Sequence, residues 1–156
     1  WVLQKATELG VAAIQPVIAQ RSVVQLDAER ATRRHEHWLG VLRSACEQCG
    51  RNRLPELLPP LDLQAATAAA RRAEPAATAL LLSPEATEPL SARLTARLAA
   101  AQVLIGPEGG WTDGELVQAQ AAGFSAVRCG PRVLRTETAA IALLAALQAA
   151  QGDLGS

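Results

Sequence analysis

Two glycine-containing segments, Gly106-Pro107-Glu108-Gly109-Gly110 and Gly130-Pro131, are where main-chain groups of this sequence could close on a small ligand. Glycine has no Cβ, so its backbone N–H and C=O groups approach a bound molecule without obstruction. Each segment follows a short apolar run, residues 103–105 and 125–129. If those runs are strands of an open α/β sheet, both loops lie at carboxyl ends of strands, where such sheets hold their ligands. Ordinary tight turns are the alternative reading of the same residues. Neither loop fits G-x-G-x-x-G or the phosphate-cradling lysine pattern, so a dinucleotide or a nucleoside triphosphate is not indicated.

Cys46-x-x-Cys49 is the other spacing with chemistry in it. Zinc would need a second ligand pair at the usual distance along the chain, which is absent, and His35 and His37 point to different faces of a helix. Both cysteines fall late in a helical segment on its apolar stripe, which reads as buried small hydrophobes and no metal site. An odd number of cysteines in a chain long enough to need no staples fits a reducing compartment.

The elements that position these segments alternate between helix and strand. Residues 1–9 read as a helix closed by Gly10, and 11–18 as a strand. Asp27 can cap a long helix over 28–49, with Trp38, Leu42, Ala45 and Cys49 on one face. Three prolines make 51–60 a connector, and Asp62 can cap a helix to residue 72. A strand over 79–82, a helix over 90–99 and a strand over 103–105 follow. Thr112 and Glu115 form a capping-box pair opening a helix that ends before Gly123, then comes the strand 125–129. The last helix, about 138–150, is apolar nearly all round, which implies burial on more than one side, in the core or against a second copy of the chain. Short apolar strands between helices argue for an α/β fold with a parallel sheet covered on both faces.

At 156 residues, one hydrophobic core is expected. Fifteen basic side chains balance fifteen acidic ones, so the chain lacks the overall charge of a protein that binds nucleic acid by electrostatics alone. No apolar run is long enough to span a bilayer and no secretory signal is visible, which reads as cytoplasmic. The chain starts at Trp1 and contains no methionine, so it reads as a fragment or a processed chain.

Residues 103–112 (VLIGPEGGWT), Glu115, Gly123-Phe124 and residues 130–139 (GPRVLRTETA) together resemble the C-terminal signature of the ribosomal RNA small subunit methyltransferase E family. Residues 4–11 (QKATELGV), Arg21-Ser22, 47–51 (EQCGR) and Leu54-Pro55 resemble its earlier segments, so the resemblance covers essentially the whole chain. It implies a SPOUT-type α/β domain, a parallel sheet flanked by helices with a C-terminal trefoil knot. It also implies bent S-adenosyl-L-methionine held by the knot loops, and a homodimer with the site near its interface. A small N-terminal RNA-binding barrel precedes this region in the family, so its absence here is implied. The implied reaction is methylation of N3 of a uridine in 16S rRNA, on the assembled small ribosomal subunit. Ribose 2′-O-methyltransferases of the same superfamily usually carry a Ser-Leu-Asn-x-Ser run where this chain has Leu134 to Ala139. A non-catalytic dimeric RNA-binding module is the reading from another class.

Carried over residue by residue, the resemblance assigns the cofactor to Leu82 and Ser83, to Ile105, Gly106, Pro107, Glu108, Gly109 and Gly110, and to Gly130, Val133, Leu134, Thr138 and Ala139. Most of these contacts would be main-chain, with Leu134 an apolar wall; core filling is the alternative for Val133 and Leu134. Uracil N3 carries a proton at neutral pH, so methylation there requires a base or a cation that stabilises the O2/O4 anion. Arg135 is the expected cation, with Glu108 or Glu137 accepting the proton or orienting Arg135. Glu137 has a second reading, as a carboxylate favoured at a helix N-terminus. Arg21 and Arg51 are expected RNA phosphate contacts, in a segment with a slight basic excess.

Overall fold

The computed structural model describes residues 1–22, 28–95 and 97–155. The expected Asp27 cap lies outside the described residues. In chain order the elements are α1 (Val2–Glu8), β1 (Ala13–Ile14), β2 (Val17–Ile18), α2 (Ala28–Cys49), β3 (Glu56–Leu57), β4 (Leu61–Asp62) and α3 (Leu63–Ala73). There follow β5 (Thr78–Leu82), α4 (Leu90–Arg93), β6 (Ala101–Leu104), α5 (Asp113–Ala121), β7 (Ser125–Val127), α6 (Thr136–Gln151) and a 3-10 turn (Asp153–Gly155).

A parallel sheet ordered β6-β5-β7 is the centre of the molecule, with Leu80 opposite Val103 on one side and Ser125 on the other. Successive side chains of a strand point to opposite faces, and both faces here are covered. Ala79 and Leu81 join Leu63, Leu104, Ala119 and Phe124 beneath α3 and α5. Leu80 joins Leu90, Val127, Leu143 and Leu147 beneath α4 and α6. Leu80, Leu81 and Leu143 are fully buried, each contributing about 2 kcal/mol through removal from water.

Local signals explain most of the helix ends. Gly10, at φ +83°, closes α1: its N–H donates to the Thr7 carbonyl and the Val11 N–H to the Ala6 carbonyl, a Schellman arrangement. Asp62 accepts the Ala65 N–H at 2.8 Å. The Thr112–Glu115 capping box is present at the start of α5.

Several expectations are corrected. The strand expected over 11–18 is two two-residue strands, because Pro16 has no N–H and the chain changes partner there: β1 pairs with β3 and β2 with β4, both parallel. Residues 51–60, expected as connector, supply β3. The helix expected over 90–99 stops at Arg93. Gln151 replaces the missing turn, its Nε2 donating to the Leu94 carbonyl and its Oε1 accepting the Leu98 N–H. Strand β6 ends at Leu104, which frees Ile105 for the following loop, and β7 ends at Val127. Cys49, expected in the core, is exposed, whereas Cys46, Leu42 and Ala45 are buried; the stripe runs through position 46 and turns away before Gly50. Among the described residues no group of His, Cys, Asp and Glu could hold a metal ion, and no helix is long and apolar enough to cross a membrane.

Candidate functional site

The loops that leave β5, β6 and β7 converge at the carboxyl edge of the sheet around a cavity of about 340 Å³, within the size range of pockets that enclose a small organic cofactor. Its wall includes Leu82 and Ser83 after β5, Ile105 to Gly110 after β6, and Gly130, Val133, Leu134 and Ala139 after β7. Of the residues expected to contact a cofactor, Thr138 is not on the wall and Thr136 is. The reason is that α6 starts at residue 136, two earlier than expected; positions 136 and 139 then share the cavity-facing side of its first turn, and 138 points away. Thr136 Oγ1 donates to the Gly106 carbonyl at 3.0 Å, tying the second loop to the third. Ser83 is buried and its N–H donates to the Val127 carbonyl at 3.0 Å, fixing the first loop to β7.

Behind the middle loop lies a polar network. The Gly110 N–H donates to the Pro107 carbonyl at 2.8 Å, with Gly110 at φ +68°. Arg21 Nη1 donates to the Gly109 carbonyl at 3.0 Å and the Trp111 carbonyl at 3.3 Å. The indole ring of Trp111 packs so close under Gly106 that a Cβ there would sit 3.0 Å from its Nε1, and that buried N–H has no hydrogen-bond partner among the described residues. Glu115 is buried and accepts from the Thr112 N–H and hydroxyl through Oε2, and from the Gln20 N–H through Oε1.

Burial of Glu115 pushes its pKa up, but the Thr112 and Gln20 N–H groups, the Thr112 hydroxyl and the nearby Arg21 charge outweigh it, so the carboxyl titrates below its ordinary value of 4.5. A lowered folded-state pKa contributes stability that is complete above the unfolded value and is lost as pH falls through the folded one. Glu115→Gln is expected to lose about 1–3 kcal/mol at neutral pH by urea denaturation, the cost of facing an amide N–H₂ towards buried donors. The difference from the native protein should shrink below the ordinary glutamate pKa; a difference independent of pH would remove the ionised carboxylate from the account.

Of the charged candidates, Arg21 and Glu108 line the cavity, and Arg51, Arg135 and Glu137 do not. Glu108 is exposed on the cavity wall. Arg135 is exposed at the N-cap of α6, between the wall residues Leu134 and Thr136 but not itself on the wall, and its guanidinium has no partner among the described residues. Glu137 is half-buried in the first turn of α6, off the wall, where the helix dipole favours it. Arg51 Nη1 donates to the carbonyls of Thr7 and Val11 at 2.8 and 3.0 Å, which seals the C-terminal end of α1. Arg51→Ala is therefore expected to cost about 1–2 kcal/mol in denaturant unfolding, whatever it does to RNA binding.

The model of the RNA methyltransferase domain family matches residues 1–148. This chain belongs to that family. Ribosomal RNA small subunit methyltransferase E of Buchnera aphidicola subsp. Schizaphis graminum is 36% identical over 152 residues, 97% of this chain and 60% of its own length. The Bacillus subtilis protein of the same name is 34% identical over 154 residues, 94% of this chain and 59% of its own. A putative methyltransferase from Legionella pneumophila, solved in complex with the bound cofactor SAM, superposes with a TM-score of 0.88 at 42% identity, over 97% of this chain and 61% of that one. A ribosomal RNA small subunit methyltransferase E from Neisseria gonorrhoeae, bound to S-adenosyl methionine, gives 0.85 at 42% identity over 96% and 60%. The chain spans about 60% of the length of the curated relatives it matches.

Sequence reasoning passed over several residues on the cavity wall of this RNA methyltransferase domain: Pro84, Glu85, Trp111, Asp113, Cys129, Arg132 and Thr136. Arg132 and Thr136 sit inside the 130–139 run and were within reach, since alternate residues of a loop entering a helix face one side. Nothing local marks Glu85 or Cys129; they reach the wall because β5 and β7 are neighbours.

Proposed function

We propose that this domain binds S-adenosyl-L-methionine in the β5–β6–β7 cavity and methylates N3 of a uridine in 16S rRNA, as the catalytic part of a ribosomal RNA small subunit methyltransferase E. The observation that carries the proposal is the convergence of Leu82-Ser83, Ile105 to Gly110 and Gly130 to Ala139 on one cavity. The residues present fit the cofactor. Apolar side chains of Leu82, Ile105, Leu134 and Ala139 suit an adenine ring, and glycine-rich main chain at 106, 109, 110 and 130 suits its polar atoms. Relatives named ribosomal RNA small subunit methyltransferase E, one of them solved bound to S-adenosyl methionine, support the cofactor and the ribosomal RNA substrate. A SPOUT-type trefoil knot, supported by the β6-β5-β7 order and the Thr136–Gly106 tie, belongs to the same proposal. So do a homodimer, supported by the partly exposed apolar sides of α6, a small-ribosomal-subunit substrate and a cytoplasmic location.

When bound, the cofactor supplies an electrophilic methyl carbon on a positively charged sulfur. The residues of this chain have the remaining work. N3 of the uracil gives up its proton to the Glu108 carboxylate at the mouth, and Arg135 carries the negative charge that spreads over O2 and O4. Leu134, half-buried on the wall, keeps water from the reacting atoms. The test is calorimetric titration of the protein with S-adenosylmethionine, followed by methylation of small ribosomal subunits with the modified base mapped. Binding without turnover on any RNA would leave a non-catalytic module; methyl groups on ribose oxygens would overturn the N3 assignment.

A further inference from the structure

The middle loop has a weak point that its own sequence does not mend. Gly109 and Gly110 follow one another at the corner, Gly110 is in the left-handed region, and no atom lies within 4 Å of where its Cβ would be. Two successive glycines have a wide choice of backbone conformations, so a fixed corner needs a clamp from outside. Arg21 is placed to be that clamp. Its Nη1 bridges the carbonyls of Gly109 and Trp111, which flank the corner on both sides. Its stem runs through the space Gly109 leaves free: a Cβ on Gly109 would come within 2.9 Å of the Arg21 Cβ. Arg21 is itself held, since the Ser22 N–H donates to the Ala19 carbonyl, Ser22 Oγ accepts the Ala19 N–H, and the neighbouring Gln20 N–H is bonded to buried Glu115. The 19–22 turn is thus fastened to the 106–111 loop through Arg21 Nη1, and to Glu115 of α5 through the Gln20 N–H.

We propose that Arg21 is a positioning residue for the cofactor loop, one that sets the shape of the Gly109-Gly110 corner and so the affinity for S-adenosylmethionine, and is not chiefly an RNA contact. This deepens the functional reading above and rests on it.

The test uses the full protein and three variants. Arg21→Met keeps the stem and removes the donors; Gly109→Ala keeps the donors and pushes the stem aside; Arg21→Lys restores a cation. For Arg21→Met and Gly109→Ala the KM for S-adenosylmethionine, and its calorimetric Kd, should rise about tenfold, the loss of one charge-assisted contact to the loop. For Arg21→Met, turnover at saturating cofactor should stay within about twofold of the native rate, Arg21→Lys should recover part of the loss in affinity, and the slope of log RNA affinity against log salt should be unchanged. An unchanged KM with a salt slope flattened by about one phosphate contact would make Arg21 an RNA ligand and overturn the proposal. A fall in active fraction at constant KM would reduce Arg21 to a folding role and overturn it equally. Absence of binding heat in the native protein would instead remove the functional reading and this inference with it.

Discussion

Alanine at position 135 is expected to slow single-turnover methylation of small ribosomal subunits by about a hundredfold at saturating S-adenosylmethionine, the usual effect of removing one donor from a developing anion. The expectation follows from three facts about Arg135. It sits between two wall residues, its side chain is exposed, and nothing among the described residues occupies its guanidinium. A cation with no intramolecular partner is available to a substrate without first breaking a bond. The uracil imide needs a cation because negative charge accumulates on O2 and O4 as N3 loses its proton. Cofactor affinity of Arg135→Ala should be native, since the residue is off the wall. Arg132 is the control: it is on the wall and also unpaired among the described residues. If Arg135→Ala keeps the native rate and Arg132→Ala loses it, the stabilising role passes to Arg132.

Leu143→Ala is expected to cost about 3–5 kcal/mol in stability, the range for deleting a fully buried leucine that cannot be replaced by collapse. Leu143 has no exposed surface and packs with Leu80, Leu90, Val127 and Leu147, where rigid strands on one side and a helix on the other leave little freedom to close the void. For a domain of this size the midpoint of thermal unfolding should fall by roughly 10 °C, read by circular dichroism. Because α6 also supplies Thr136 and Ala139 to the cavity, the same variant should bind cofactor less tightly at temperatures where it is still folded. A loss below about 1 kcal/mol would mean the helix shifts to fill the space, and the account of a rigid α6–sheet contact would fail.

How far these features were legible in the sequence depended on how local their causes are. The capping box of α5, the Asp62 cap and the glycine closure of α1 each involve residues a few positions apart, and all three are present as read. The central strands were recognisable because burial on both faces makes them unbroken apolar runs. Failures occurred where a distant group decided the outcome. The helix after Leu90 stops short because Gln151, some sixty residues later, takes over its hydrogen bonds. The strand through Pro16 divides because two different partners lie across from its halves. Within the site, the loops were identifiable by their glycines, but the part that Trp111 and Arg21 play was not: both line the cavity and brace the middle loop through contacts with Gly106 and Gly109 that no pattern of spacing reports. Thr138 came from the resemblance, whereas Thr136, in the first turn of α6, is the threonine on the wall.

Helix α6 is fastened at both ends and along one side. Its first residue, Thr136, holds Gly106; near its far end Gln148 donates to the Leu9 carbonyl at 2.7 Å, and α1 packs against it. Sixteen residues at the α-helical rise make a rod about 24 Å long, stiff on the scale of a side-chain contact. One stiff element thus joins the α1 edge of the molecule to the cavity wall, so a substitution that shifts α6 at its α1 end is expected to disturb the Thr136–Gly106 tie as well.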